Sequence, residues 1–271
     1  MTDAATTDRY CVLNGTRFRY RDEGTGPPVI LVHGWTLDLE MWDSQVASLQ
    51  SALRIIRYDR RGFGLSSGYP SIDQDRVDLD AVCAHLALGR VGLVGMSQGA
   101  RAVTSFAATA PSRVCCVVLD GPPDLVATAL ADDEPVNQYA ALARTRGIGA
   151  FRREWVKHPL VRLITSDPRA HQALRSMIER YPGKDLAAPT ATVEPAAAPL
   201  QLETFTVQTL IITGEHDIAS RVAAADLLAD RLPHAERAII SGAGHLPNLD
   251  NPGLYNKLLS AFLTRHATGP T

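Results

Sequence analysis

Short apolar runs alternate with helical patterns over most of the chain, but its first strands follow another pattern. In CVLNGTRFRYRDEG, two runs of alternating polarity flank Asn14 and Gly15. Asn-Gly between alternating runs is a strong signal for a two-residue hairpin turn. We therefore expect the sheet to begin with antiparallel strands.

The later apolar runs have the character of strands buried on both faces. They are VILVHG, RIIRYD, VGLVGM, VCCVVLD, VQTLIITG and ERAIIS. The segments between them predict helices at about 41–53, 75–88, 97–110 and 222–231, with a last helix at about 252–265. Apolar runs that alternate with helices predict βαβ units and a parallel sheet, hence an α/β fold.

This alternation is interrupted between residues 121 and 205. The segment contains helical patterns such as GIGAFRREWVKHPLVRL and an Ala- and Pro-rich stretch, LAAPTATVEPAAAPLQ, but no comparable strand pattern. We interpret it as an inserted helical cap with a return stiffened by proline. The predicted domains are a core of residues 1–120 and 206–271 and a cap of residues 121–205.

Composition narrows the range of partners. The chain has 271 residues, 45% apolar and 21% charged, with a net charge of -2, which gives no indication of a nucleic-acid partner. The start, MTDAATTDRY, lacks the features of a secretion signal, and no apolar run of about 18 residues predicts a membrane span. We expect a cytoplasmic protein with reduced cysteines and no membrane association. The oligomeric state is left open, a homo-oligomer included.

A candidate nucleophile stands between an apolar strand and a helix. Gly95-Met96-Ser97-Gln98-Gly99 fits GxSxG directly after VGLV. In that context a sharp turn lifts the serine oxygen clear of the sheet, and the two glycines let the backbones pass. The alternative, a serine in an ordinary glycine-bounded turn, carries less weight in this strand-to-helix setting.

A serine hydroxyl needs a base, and His245 is the best of eight histidines. It stands in SGAGHLPNLD, a glycine-flanked loop between the predicted last strand and last helix. Backbone freedom there can bring the side chain back over the sheet. His33, in HGW at the end of an early strand, is expected to be structural.

Two aspartates compete for the acid that orients His245. Asp217 ends the strand LIITGEHD, upstream of the histidine as the order Ser, Asp, His requires. Asp120 ends VCCVVLD at the same edge of the sheet and is the alternative. We favour Asp217, although the choice depends on geometry.

Acyl transfer also needs hydrogen-bond donors that stabilise the oxyanion formed during the reaction. They are typically backbone N–H groups of the residue after the serine and of the loop after an early strand. In this chain those residues are Gln98 and Trp35. Their side chains then remain available to shape the pocket.

The chain resembles the α/β-hydrolase superfamily over nearly its whole length. The matching segments are GPPVILVHGW, YDRRGFGLSS, LVGMSQGA, LIITGEHD and SGAGHLPNLDNP. The resemblance implies the α/β-hydrolase fold, with a mostly parallel twisted sheet, antiparallel N-terminal strands and helices on both faces. YDRRGFGLSS looks like the family's DxRGxGxS turn, which implies a structural role for Asp59. The chain looks most like small capped enol-lactonases, carbon–carbon hydrolases and cofactor-free haloperoxidases, so no cofactor or metal is implied.

Two further residues are candidates for substrate binding. Arg101 follows Ser97 by four residues, as an arginine does in a related synthase that eliminates pyruvate, and a shared helix face predicts that it lies beneath the pocket. An ordinary ion pair explains this arginine equally well. Trp155 forms an apolar stripe with Ile148 and Phe151, and we expect it to pack in the core or to wall the pocket.

These features predict a serine hydrolase that cleaves an ester, a lactone or an activated carbon–carbon bond of a small molecule. A lyase, synthase or cyclase that uses the same triad on a carboxylated metabolite is the alternative. A non-catalytic ligand-binding module is the third interpretation. It is disfavoured because serine, acid, histidine and both glycines are present in order.

Overall fold

A computed structural model of the protein describes residues 7–126, 136–187 and 201–267. Within these ranges eight strands form one sheet, in the order β1-β2-β4-β3-β5-β6-β7-β8. The strands are β1 (Arg9–Leu13), β2 (Thr16–Glu23), β3 (Pro28–Val32), β4 (Arg54–Tyr58), β5 (Val91–Met96), β6 (Val114–Asp120), β7 (Gln208–Gly214) and β8 (Ala235–Ile240).

The strand directions confirm the predicted fold class. β1 pairs with β2 and β2 with β4 in antiparallel fashion, and the strands from β3 to β8 pair in parallel. The turn between β1 and β2 is formed by Asn14 and Gly15, both with positive φ, of 49° and 74°. Two successive residues with positive φ characterise the hairpin turn that Asn-Gly predicts.

Helices cover both faces of the sheet. They are α1 (Asp43–Leu49), α2 (Ile72–His85), α3 (Gln98–Thr109), α4 (Val136–Arg146), α5 (Ile148–Trp155), α6 (Pro168–Arg180), α7 (Lys184–Ala187), α8 (Ala219–Arg231), α9 (Pro247–Asp250) and α10 (Pro252–His266). Val29 and Leu31 of β3 belong to one buried apolar cluster, whereas Ile30 and Val32 belong to the cluster on the other face. Burial on both faces explains why the parallel strands are continuous apolar runs.

The first helix is shorter than the pattern predicts. Instead of one helix over 41–53, a 3-10 turn at Leu39–Trp42 leads into α1, which ends at Leu49. The chain then turns into β4, where the N–H of Arg54 donates to Pro27 O at 3.1 Å. The apolar periodicity continues through this turn, so it predicted a longer helix than the structure contains.

The DxRGxGxS segment has the structural role that the resemblance implies. Asp59 accepts hydrogen bonds from the N–H groups of Leu39, at 2.9 Å, and Leu65, at 2.8 Å. Gly64 has a φ of 50°, and a Cβ at this position would lie 2.3 Å from Asp59 Oδ2. Asp59 thus joins two loops and is not available as the catalytic acid.

The chain between β6 and β7 contains α4 to α7, and the described residues of this segment contain no strand. The Ala- and Pro-rich stretch lies almost wholly at 188–200, outside the described residues. The division into a core and a cap at residues 121–205 stays a prediction. Considering the three described ranges alone, none of the helices has the length and hydropathy of a bilayer span.

Candidate active site

The carboxyl ends of the parallel strands meet at one edge of the sheet and carry the predicted site residues. Ser97 follows β5, Asp120 ends β6, Asp217 follows β7 and His245 follows β8. The strand order passes from β4 through β3 to β5, so the direction of chain progression reverses beside Ser97. Such a reversal leaves a crevice at the carboxyl ends of the strands, where ligands bind in open α/β sheets.

Ser97 lies on a strained turn between β5 and α3. Its φ is 51° and its ψ is -115°, a conformation that is rare for residues other than glycine. A Cβ at Gly95 would lie 2.6 Å from Gly99 O, and one at Gly99 would lie 2.4 Å from Val32 O. Both glycines of the motif are therefore required by close approach of backbones.

His245 is held by Asp217. Its Nδ1 lies 3.0 Å from Oδ1 and 3.0 Å from Oδ2 of that carboxylate. The Asp217 side chain is fully buried, and its Oδ1 also accepts the N–H of Ile218 at 2.7 Å. A carboxylate at Nδ1 leaves Nε2 as the imidazole nitrogen that can accept a proton.

Asp120, the alternative acid, has a different partner. Its Oδ2 accepts the hydroxyl of Tyr255 at 3.0 Å, and its backbone carbonyl accepts the N–H of Ser97 at 2.7 Å. Burial raises the pKa of Asp120 well above its ordinary value, the Tyr255 hydrogen bond opposes this shift, and the nearby charge of Asp217 adds to it. Of the two aspartates, Asp217 is the one placed against His245.

Gly121 is a site residue that the sequence analysis missed. It has a φ of 51°, and a Cβ there would lie 2.7 Å from Cε1 and 2.8 Å from Nδ1 of His245. The same Cβ would lie 3.4 Å from Oδ2 of Asp217. Its position directly after an apolar strand that ends in Asp120 was a signal for close approach.

Ser97 and His245 line the same pocket, together with Arg221 and a mainly apolar wall. The apolar wall is formed by Trp35, Leu37, Met96, Trp155, Leu160 and Val161. The pocket is narrow, with space for about one water molecule. Among the described residues, Ser97 Oγ and His245 Nε2 do not form a hydrogen bond with one another.

The two residues predicted to stabilise the oxyanion, Trp35 and Gln98, differ in their position relative to this pocket. Trp35 lines it, and its indole N–H donates to Asp185 Oδ2 at 2.7 Å. Gln98 is the first residue of α3, so its N–H is one of the donors at the helix N-terminus. In the described part of the chain, Gln98 is not among the residues that line the pocket.

Trp155 both packs in the core and walls the pocket. It is 1% exposed, and its ring centroid lies 4.8 Å from that of Trp35. Its indole N–H donates to Thr36 Oγ1 at 2.7 Å. His158 stacks on it with centroids 4.7 Å apart, and burial, followed by the charge of His245, lowers the pKa of His158. The end of α5 is therefore fixed to the loop after β3.

The structure does not bring Arg101 to the pocket. Within the described residues, the arginine that lines it is Arg221, from the first turn of α8. The expectation for Arg101 assumed that Ser97 shares its helical face, but the backbone of Ser97 is not helical. The i to i+4 relationship therefore does not apply between these two residues.

His33 has the structural role expected of it. Its Nε2 accepts the N–H of Arg60 at 2.9 Å, and its Nδ1 lies 2.7 Å from Gly34 O. Burial lowers the pKa of His33 to about 3, and the charge of Arg60 contributes to the shift. A neutral ring that donates from Nδ1 supports the loop that leads to Trp35.

Known proteins share this architecture. A thermophilic esterase from Thermogutta terrifontis, solved with malate bound, is 27% identical, with a TM-score of 0.79 over 97% of this chain and 99% of its own. An enol-lactonase from Burkholderia xenovorans LB400 is 27% identical, with a TM-score of 0.78 over 94% of this chain and 100% of its own. The 3-oxoadipate enol-lactonase 2 of Acinetobacter baylyi is 25% identical over 88% of this chain and 89% of its own.

A family model described as alpha/beta hydrolase fold matches residues 27–252. This range includes the serine turn after β5, the carboxylate after β7 and the histidine after β8. With the sheet order and the paired His245 and Asp217 already described, the chain belongs to the α/β-hydrolase fold family of enzymes.

Proposed function

We propose that the protein is a serine hydrolase that cleaves an ester, a lactone or an activated carbon–carbon bond of a small molecule through an acyl-enzyme. The observation that carries the proposal is the position of His245, which contacts Asp217 through Nδ1 and lines the same pocket as Ser97. Relatives named as enol-lactonases and an esterase support the ester and lactone bonds in this range.

In the first half-reaction, Ser97 Oγ attacks the substrate carbonyl while Nε2 of His245 accepts the hydroxyl proton. Asp217 stabilises the imidazolium that forms, because its carboxylate lies at Nδ1. The Ser97–His245 hydrogen bond closes when substrate binds, since such bonds are commonly loose in unliganded sites.

The tetrahedral intermediate carries its charge on the former carbonyl oxygen. We assign the N–H groups of Trp35 and Gln98 as its donors, because one follows β3 beside the pocket and the other begins α3 directly after Ser97. His245 then protonates the leaving group. In the second half-reaction water, activated by the same imidazole, releases the acid and restores Ser97.

The segment at residues 121–205 serves in this proposal as the cap over the sheet. Trp155, Leu160 and Val161, which belong to it, wall the pocket. Because the pocket holds about one water molecule in this conformation, these side chains must move apart when substrate binds. The cap thereby excludes bulk water once a small substrate is in place.

The test combines labelling and isotope incorporation. A fluorophosphonate should modify Ser97, identified by mass spectrometry of the peptide, and should leave the Ser97→Ala variant unlabelled. Hydrolysis of activated esters and lactones in ¹⁸O-labelled water should place the isotope in the product acid.

Two results distinguish the alternatives. Equal labelling of wild type and Ser97→Ala would mean that Ser97 is not the nucleophile and would favour a binding module. Product formed from a carboxylated metabolite without isotope incorporation would favour a lyase. The position of Arg101, which suggested the lyase, no longer supports it, because Arg101 does not line the pocket in the described residues.

A further inference from the structure

Arg221 brings a positive charge to the wall of the catalytic pocket. It is 0% exposed and lines the pocket together with Ser97 and His245. It lies in the first turn of α8, where its N–H donates to Ile218 O at 3.0 Å, four residues after Asp217. One chain segment after β7 thus supplies both the acid behind the histidine and an arginine of the pocket wall.

The surroundings of this guanidinium make it an effective anion-binding group. Apart from Ser97, His245 and Arg221, the pocket wall is formed by apolar and tryptophan side chains. Electrostatic attraction is stronger in such a poorly polarisable environment than in water. A guanidinium stays charged and carries five N–H donors in a planar fork that fits a carboxylate. Since a carboxylate engages two of these donors, Arg221 can bind a substrate anion in addition to a protein partner.

We infer that Arg221 forms a carboxylate-binding subsite, and that the substrate is a short ester or lactone whose acyl chain ends in an ionised carboxyl group. The inference rests on the proposed serine hydrolase function and narrows its substrate class. The carboxylate and the scissile carbonyl belong to one small molecule, because Arg221 and Ser97 line the same narrow pocket.

The acyl chain is the part of the substrate that this subsite holds. It remains bound to Ser97 after the alcohol has left, so an ion pair with Arg221 orients it through both half-reactions. Arg221 acts as a specificity-determining residue in this role, and proton transfer remains with His245. Lysine keeps the charge but lacks the two-pronged geometry, and glutamine keeps neither.

The test uses two matched 4-nitrophenyl alkylphosphonates whose short chains end in a carboxylate or in a carboxamide. Each phosphonylates the nucleophile: the bond from Ser97 Oγ to phosphorus forms, the bond from phosphorus to nitrophenolate breaks, and the serine proton passes to His245. Nitrophenolate release gives the inactivation rate, and mass spectrometry locates the adduct. The two probes are compared on the wild type, Arg221→Gln, Arg221→Lys and, as a matched control on the same helix, Arg231→Gln.

We expect the wild type to react at least about tenfold faster with the carboxylate probe, the size of effect that one charge-assisted pair provides. This ratio should fall to about one in Arg221→Gln and be partly kept in Arg221→Lys. It should be unchanged in Arg231→Gln, because Arg231 is 39% exposed and pairs with the exposed Glu203. Because each ratio compares two probes on the same variant, a general loss of reactivity in Arg221→Gln lowers both rates and leaves the ratio unaffected.

A wild-type ratio of one or less overturns the inference even if Arg221→Gln does not fold. An equal ratio in wild type and a folded Arg221→Gln variant, checked by thermal unfolding, overturns it as well. In both cases labelling of Ser97 would persist, so the serine hydrolase proposal would stand. Failure of both phosphonates to label Ser97 would instead remove the proposed function and the inference together.

Discussion

Nδ1 of His245 lies 3.0 Å from each carboxylate oxygen of Asp217, whereas the carboxyl group of Asp120 binds Tyr255. Asp120 ends β6 and Asp217 follows the neighbouring strand β7, yet the two aspartates have different partners. Their separate environments lead to different predictions for activity and for stability.

Asp217→Asn should lower kcat by about four orders of magnitude, because an amide no longer stabilises the imidazolium or selects its tautomer. Asp120→Asn should retain most of the activity, since the Asn amide oxygen can accept the Tyr255 hydroxyl in place of the carboxyl oxygen and His245 keeps its partner Asp217. Steady-state hydrolysis of an activated ester measures both. The reverse order of effects would make Asp120 the catalytic acid.

Gly121→Ala should lower kcat by about a hundredfold, because the new methyl group would displace the His245 ring. Gly15→Ala is the matched control. Gly15 also has a positive φ, of 74°, but a Cβ there would lie more than 4 Å from every other atom of the described residues beyond its chain neighbours. Both variants should lose about 1 kcal/mol of stability from backbone strain, measured by urea unfolding. Equal kcat values for the two variants would show that the nearby His245 ring is not the reason why position 121 requires glycine.

Asp120→Asn should become more stabilising, relative to the wild type, as pH rises. The pKa of Asp120 in the folded protein is raised by burial, so above about pH 4 the unfolded chain releases a proton that the folded chain retains. The wild type therefore loses stability with rising pH, by at most about 1.4 kcal/mol per pH unit from this group, and Asn removes that dependence. Urea unfolding at pH 5 and pH 8 measures the difference. A difference that does not change between these pH values contradicts the prediction.

His33 should remain neutral at pH 5 with its proton on Nδ1. Its pKa in the folded protein is lowered to about 3, from an ordinary value of 6.5, so any stability linked to this group is lost as pH falls through that interval. Side-chain ¹⁵N chemical shifts report the protonation of each ring nitrogen. A doubly protonated His33 at pH 5 would contradict the assigned hydrogen bonds.

Trp155→Ala should widen the pocket and raise kcat/KM for branched acyl esters relative to acetyl esters. The same change should cost about 3–5 kcal/mol of stability, because Trp155 is 1% exposed and packs against Trp35. Val156→Ala, at a neighbouring residue that is 38% exposed, should change neither quantity appreciably. An unchanged preference among esters in Trp155→Ala would show that this side chain does not limit acyl size.

Local patterns determined the fold and the candidate nucleophile. Asn14-Gly15 predicts a hairpin because two positive φ angles suit those residues, and the parallel strands are recognisable because burial on both faces requires continuous apolar runs. GxSxG predicts the turn at Ser97 because only glycine at its ends lets the backbones pass. Each of these features leaves its pattern within a short stretch of sequence, so it can be recognised without the tertiary structure.

Tertiary structure alone decided which side chains meet. Asp120 ends β6 and Asp217 follows β7 at the same sheet edge, and only the path of the loop after β8 places His245 against Asp217. The same holds for the arginine of the pocket: Arg101 is near Ser97 in sequence, but Arg221 is the one that lines the pocket with Ser97 among the described residues. Contacts between segments far apart in sequence depend on strand order and loop path, which no local pattern encodes.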